Sequence, residues 1–410
     1  MNKSDKKNLI WNSIGATISA LSSLVFLIIA TRINGVVDAG IFTYSFATAC
    51  LFYTISIYST RSYQVTNTDN KFMDSDFLFN RLTTCLIMMF VSFIFSFIRE
   101  YNLYKSSILI LLSLYKCIET IEETLYGIIQ KHNLLEKVGK SMTIRSLLSY
   151  LIFLIIDLIT KNLIISIISI IIVNIFIILF YDLQIMKKIS YNFQKYSCEK
   201  NKLLLKLGFN TFAFSFLSIY LLNASRYAID TNLSEEMQTI YGIIVMPGMV
   251  MSLLSQFIIQ PFLVRITEYI KINDIDNLKN LCNKLLVAMF GLGIFCIIVA
   301  AFIGIPVLNF IYGINLREYF LEFMIILVGA LFYGSSIIIS NILIACRKTF
   351  SQLIGLGIIS LIALFSSYYL VNNYLILGAS INYLLIMVIE FIMYIFMLKY
   401  YLRNIKKREN

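Results

Sequence analysis

Apolar runs of roughly 20 residues, long enough to cross a bilayer as a helix, recur along the chain between short polar breaks. One span per run predicts helices over 9–33, 39–59, 77–98, 106–130, 142–159, 162–181, 203–224, 239–264, 281–303, 320–344, 350–369 and 374–398. The first run carries Asn12, Ser13, Thr17, Ser19, Ser22 and Ser23 and has no small-residue cleavage site, so it reads as a retained helix rather than a signal peptide. The longest break separates the sixth run from the seventh. It predicts an N-terminal six-helix lobe over 1–185, a linker over 186–202 and a C-terminal six-helix lobe over 203–410. The expected class is an all-α polytopic membrane protein of about 12 transmembrane helices.

Composition agrees with the pattern. Of 410 residues, 59% are hydrophobic and 14% charged, and the mean hydropathy is +0.81, which leaves no room for a separate soluble domain. The formal net charge of +11 could point to nucleic acid, but its placement points to a membrane. Basic residues concentrate in the N-terminal tail, in alternate breaks and at the C-terminus, whereas only Arg32, Arg99, Lys105, Lys161, Arg226 and Arg317 fall in the other set of breaks. Lys116 lies within a run. The positive-inside rule then puts both termini in the cytoplasm and excludes nucleic acid as a partner. Seven dispersed cysteines without a C-x-x-C pair read as small hydrophobes, and the single histidine, His132, as loop surface; no metal site is expected.

The two halves share landmarks. The first run ends Ala30-Thr31-Arg32 and the seventh Ala224-Ser225-Arg226. Each following run has a tyrosine near its start, Tyr44 or Tyr241, and a basic residue at its end, Arg61 or Arg265. Six is even, so both halves enter the membrane from the same side. This predicts lobes related by a pseudo-two-fold axis along the membrane normal, as in transporters whose site lies between two lobes.

The fourth run is unusually polar. At 100° per residue, Lys116, Glu119, Glu123, Tyr126 and Gln130 fall in one arc, with Glu122 at its edge. Each ionised group at mid-bilayer costs about 2.5–3.5 kcal/mol on insertion scales, so these side chains are expected to face protein or water. A structural cluster built on Lys116/Glu119 and Lys116/Glu123 pairs is one reading. The other starts from one lysine facing three carboxylates, a surplus that points to proton or cation binding. Arg32 and Arg226 divide similarly between snorkelling to headgroups and lining a cavity, where a guanidinium fork suits diphosphate. Pro247 and Pro261 in the eighth run free backbone carbonyls and are candidate hinges or static kinks. Asp157, Glu322, Asn382 and Glu390 are weaker candidates, read as structural. No Walker loop, H-E-x-x-H, D-x-D or membrane-embedded histidine appears, so no catalytic residues are assigned and the chain is not expected to be an enzyme.

The stretch 119–153 resembles the corresponding region of bacterial polysaccharide-unit flippases, especially those of Gram-positive capsule and exopolysaccharide clusters, through Glu122, Glu123, Tyr126, Gly127, Gln130, Lys131, Lys140, Ser141 and Arg145. Asn223, Arg226 and Tyr227 resemble that family's Asn-x-x-Arg-Tyr. Further matches are Gly304-Ile305-Pro306-Val307-Leu308, Tyr312-Gly313, Arg347-Lys348-Thr349 and Gly378-Ala379-Ser380. The resemblance implies the fold of the multidrug/oligosaccharidyl-lipid/polysaccharide exporter superfamily, and a substrate of oligosaccharide linked through diphosphate to undecaprenol. It also implies a bacterial plasma membrane location, with a polysaccharide polymerase and chain-length proteins as further candidate partners. On that basis Arg32, Arg61, Asn223, Arg226, Tyr227 and Arg265 are candidate substrate contacts, and Lys116, Glu119, Glu122 and Glu123 a charged wall or ion-coupling site. No cofactor is expected, and H+ or Na+ coupling stays open. A cation-coupled drug antiporter of the same superfamily, a membrane enzyme acting on the same lipid and a non-transporting scaffold are the rival functions. Many family members carry a proline early in the first and seventh segments, which this chain lacks, and some have Asp where Ser225 stands.

Overall fold

The computed structural model describes residues 3–58, 61, 64–65, 72–189 and 197–409, with side chains from residue 7 to residue 403 within those ranges. The described chain is helical apart from short turns, with no strand among the described residues. It divides into two compact units, Met1–Phe216 and Leu217–Asn410.

The first unit contains α1 (Lys3–Ala20), α2 (Ser22–Ile33), α3 (Val36–Ile57), α4 (Asp74–Ile98), α5 (Leu103–Lys131), α6 (Leu135–Thr160) and α7 (Leu163–Ile177). A π-helical turn, Ile178–Asp182, leads from α7 into α8 (Leu183–Lys187). The division falls inside α9 (Cys198–Asn232). The second unit continues with α10 (Glu235–Ile259), a 3-10 turn (Gln260–Phe262), α11 (Leu263–Lys271), α12 (Ile275–Tyr312), α13 (Phe320–Ala345) and α14 (Thr349–Glu409).

Among the described residues, ten helical stretches are long and apolar enough to cross a membrane. The twelve runs exceed that number for two physical reasons. Thr349–Arg403 holds two runs' worth of chain, broken where Leu375 leaves helical geometry at φ 52° and ψ −131°. Leu103–Lys131 has the length but carries the charged stripe and is not among the ten. The first run, expected as one helix, is interrupted at Leu21. Ser22 Oγ donates to the Ser19 carbonyl at 2.6 Å and lies 3.0 Å from the hydroxyl of Tyr150 on α6, which donates to the Ile18 carbonyl at 2.5 Å.

Helices α1 and α6 cross in backbone contact. A Cβ added to Gly15 would lie 2.5 Å from the Gly139 carbonyl oxygen, and one added to Gly139 would lie 2.2 Å from the Trp11 carbonyl. Only glycine at both positions allows this approach, which sets the depth at which α6 presents Arg145. Further along α6, Phe26, Phe42, Tyr115, Tyr150 and Phe153 pack at ring-centroid distances of 4.8–6.4 Å. Asp157, buried near the end of α6, accepts from Asn34 Nδ2 at 2.5 Å and Ser166 Oγ at 2.9 Å, tying the ends of α2 and α6 to α7.

In the second unit α10, α13 and the distal part of α14 pack together. Gly329 lets Tyr383 come within 2.8 Å of where its Cβ would stand, and Phe290, Phe332 and Phe391 form a mutual aromatic cluster. The two prolines of the eighth run behave differently. Pro247 sits inside the continuous helix α10, whereas Pro261 occupies the 3-10 turn that ends it. A missing amide hydrogen and a fixed φ explain why the α-helical ladder stops at Pro261.

Candidate functional site

The polar stripe of α5 is buried against its own unit. Lys116 Nζ donates to Glu119 Oε2 at 2.6 Å, one turn along the same helix. The ring faces of Phe46, Tyr115 and Tyr53 surround the ammonium at 4.8, 5.4 and 5.6 Å. Glu119 also accepts from Arg145 Nη2 of α6 at 3.1 Å. Arg145 reaches the fully buried Glu122 with its other nitrogen and holds Ser19 Oγ at 2.9 Å. Glu123 pairs with Arg61, whose second nitrogen donates to Gln130 Oε1 at 3.1 Å.

This geometry corrects the charge count read from α5 alone. The surplus of two carboxylates over Lys116 is met by Arg61 and Arg145, so each glutamate of the stripe has a cation. The expected Lys116/Glu123 pair is not formed, because seven residues are two turns, about 10 Å of rise, and Arg61 takes Glu123 instead. A fourth cation, Arg81 of α4, is buried beside the stripe, where it donates to the Ser56 carbonyl and, at 2.8 Å, to Thr124 Oγ1. The network continues from Tyr126 to Ser141 at 3.0 Å and from Ser141 to Asp182 at 2.7 Å. Within it, Glu122 Oε1 and Asp182 Oδ2 are buried without a hydrogen-bond partner among the described residues.

Arg81, Arg145 and Asp182 are not among the site residues that the sequence predicts. Their signal was position: Arg81 and Arg145 both fall inside helices long and apolar enough to span, Asp74–Ile98 and Leu135–Thr160. A cation within a span needs a partner, and the one unusually acidic span supplies it.

The other candidates separate. Arg32, at the end of α2, is exposed, while its counterpart Arg226 in α9 is only 3% exposed and stands 5.9 Å above the Tyr241 ring. In the first unit the cation over the corresponding Tyr44 is Lys105, at 4.9 Å. Asn223 donates to the Ile219 carbonyl of its own helix at 3.0 Å, and Tyr227 stacks on Tyr220 at 5.9 Å. Ser225 donates to the Ala379 carbonyl at 2.9 Å and accepts from Asn382 Nδ2 at 3.0 Å, which joins α9 to the distal part of α14. Asn382 Oδ1 accepts in turn from Ser366 at 2.7 Å. Arg265 is exposed on α11, donating to Tyr269 at 2.8 Å. Glu390 of α14 is 5% exposed and accepts from the Tyr394 hydroxyl, with no cation partner among the described residues.

No family model matches this sequence. Over 412 aligned residues it is 26% identical to the capsular polysaccharide biosynthesis protein CapF of Staphylococcus aureus, covering 96% of this chain and 99% of that one. The structure is similar to the lipid II flippase MurJ in an inward closed conformation, with a TM-score of 0.73 at 16% identity over 95% of this chain and 87% of that one. It is also similar to an inward-facing multidrug resistance MATE family transporter of the MOP superfamily, with a TM-score of 0.70 at 11% identity over 98% and 99%. The chain has the fold of the multidrug/oligosaccharidyl-lipid/polysaccharide exporter superfamily. The fold expected from the residues is borne out.

Within this exporter fold the charged cluster is a closed electrostatic unit. Its acids are held by fork-shaped donors that leave few oxygens open, an arrangement suited to a rigid wall.

Proposed function

We propose that the chain is a flippase of the bacterial plasma membrane, with both termini cytoplasmic. It moves an undecaprenyl-diphosphate-linked oligosaccharide repeat unit from the inner to the outer leaflet by alternating access, for cell-surface polysaccharide biosynthesis. The observation that carries this reading is the end-to-end similarity to a capsular polysaccharide biosynthesis protein in a chain that folds like a lipid II flippase. Arg226 is the first choice for a diphosphate contact, because its guanidinium is buried and a planar fork matches the spacing of phosphate oxygens. Arg32 and Arg265, being exposed, are candidates for substrate arrival and release. Arg61 acts through Glu123 as part of the wall. Coupling to H+ or Na+ would fall to Glu122 Oε1 and Asp182 Oδ2, the acidic oxygens of the cluster that are buried without a hydrogen-bond partner among the described residues. A polysaccharide polymerase and chain-length proteins would take over the flipped unit.

Deletion with leaflet-resolved labelling of the lipid-linked intermediate tests this. Accumulation on the cytoplasmic leaflet is expected; normal exposure on the outer leaflet in the deletion strain sinks it. The likeness to a multidrug transporter favours a second reading, a cation-coupled drug antiporter. Resistance to cationic dyes on expression, with unaltered glycan export in the deletion strain, would select that reading.

A further inference from the structure

The lysine-rich end of the first unit holds a cavity that the charge cluster does not use. It begins where α5 turns into α6. Asn133 takes a left-handed φ of 59° there, and Asn8 of α1 clamps the turn. Its Nδ2 donates to the Asn133 carbonyl at 3.0 Å, and its Oδ1 accepts from the Glu136 backbone amide at 2.8 Å. Across from this turn run the π-helical segment and α8. Between them lies a cavity of about 410 Å3 whose polar lining includes Lys137, Lys140, Lys188, Tyr181 and Gln184.

Its charge is one-sided. Three lysines face one carboxylate, Glu136, which is bonded to Lys140 at 2.7 Å. Lys140 is further fixed over the Trp11 ring at 5.2 Å. Lys188 is exposed and makes no ion pair or hydrogen bond through its side chain with a described residue. The amino-terminal end of α6 opens here, and its dipole adds to the positive potential. Tyr181 and Gln184 add a phenol and an amide that can donate hydrogen bonds. The volume falls at the small end of ligand pockets. The position, at the ends of helices long enough to span, is where headgroup phosphates lie.

We propose that this cavity binds a phosphate ester, with Lys137 and Lys188 as its principal charged contacts and the Glu136–Lys140 pair as its fixed edge. Lysine suits this ligand as a mobile point charge that follows a phosphate without demanding bidentate geometry. The same chemistry is offered by the phosphodiester headgroup of an anionic membrane lipid and by a soluble phosphate ester. The site is independent of the flippase reading.

The test uses the full chain in nanodiscs of phosphatidylcholine, with and without phosphatidylglycerol, compared with the Lys137→Gln/Lys188→Gln variant. Retention of phosphatidylglycerol is read by native mass spectrometry, and sn-glycerol 1-phosphate binding by thermal shift in phosphatidylcholine alone. Removing two lysines is expected to weaken binding on the order of 30-fold, from about 1 kcal/mol per basic residue near the surface. Retention of phosphatidylglycerol alone, lost in the variant, assigns a lipid headgroup. A shift with glycerol phosphate, also lost in the variant, assigns a soluble ester. Lys137→Arg/Lys188→Arg, which keeps the charge, is expected to bind as the parent does and controls for folding. Equal binding by the parent and the glutamine variant, or no binding of either probe by the parent, overturns the proposal.

Discussion

Both units bury acids in helices long enough to cross a membrane, and they accommodate them differently. In the first, Glu119, Glu122 and Glu123 each meet a cation, and two of the three cations come from outside their helix. In the second, Glu390 has a tyrosine hydroxyl and no cation partner among the described residues, while Arg226 rests on a tyrosine ring. The first solution is electrostatically closed and intolerant of losing a member. The second sets a tyrosine hydroxyl against its acid and a tyrosine ring against its arginine, contacts that tolerate replacement by neutral groups. The landmark tyrosines repeat the contrast, for Tyr44 is covered by Lys105 and Tyr241 by Arg226.

The sharpest way to break the comparison is Arg145→Leu. It leaves Glu119 with Lys116 alone and strips Glu122 of its cation, which should cost about 3–5 kcal/mol in denaturant unfolding of the purified protein. Adding Glu122→Gln should recover part of that loss. A single-variant effect below about 1 kcal/mol would mean that the cluster is not closed.

Next in size is Gly139→Ala, which places a methyl group against the Trp11 carbonyl and pushes α1 from α6. The expected loss is about 1–3 kcal/mol. Arg145 rides on α6, so this variant and Arg145→Leu should be non-additive in a double-mutant cycle.

Glu390→Gln should cost about 1 kcal/mol or less, because the amide oxygen still accepts from Tyr394. Glu122→Gln in the same assay should cost more, since it removes the charge opposite Arg145. Equal effects would erase the distinction between the units. The smallest stability change belongs to Arg32→Ala, exposed at the end of α2, expected within about 0.5 kcal/mol. Arg226→Lys should leave stability within about 1 kcal/mol, through retained charge over Tyr241, while polysaccharide export falls with the lost fork. Export unchanged in Arg226→Lys would remove Arg226 from the substrate path.

Much of the fold was legible in residues that act locally. Leu375 breaks the last helix at a place the spacing of the runs anticipated, and the charged stripe on α5 follows from helical periodicity alone. The site was legible only on one side. Lys116, Glu119, Glu122 and Glu123 announce themselves as charges in an apolar context, but their partners lie far along the chain: Arg61 is 62 residues from Glu123, and Arg145 is 23 from Glu122. Arg81 and Arg145 stand within a turn or so of the starts of their runs, where a charge-bias argument does not separate a buried cation from a loop cation. The different burial of Arg32 and Arg226 was not legible either. Equivalent places along two helices do not fix what lies beside them.

By itself the sequence determined that the chain is a helical membrane protein, roughly where its helices lie and which helix carries charge. These follow from terms local to each segment: apolar length against bilayer thickness, and backbone hydrogen bonds satisfied within the helix. Only the tertiary structure decided that the acids of α5 are neutralised, that Arg226 is buried while Arg32 is exposed, and that three lysines gather around one cavity. Those outcomes depend on which helices become neighbours, and at the crossing of α1 and α6 that was set by two glycines 124 residues apart, Gly15 and Gly139.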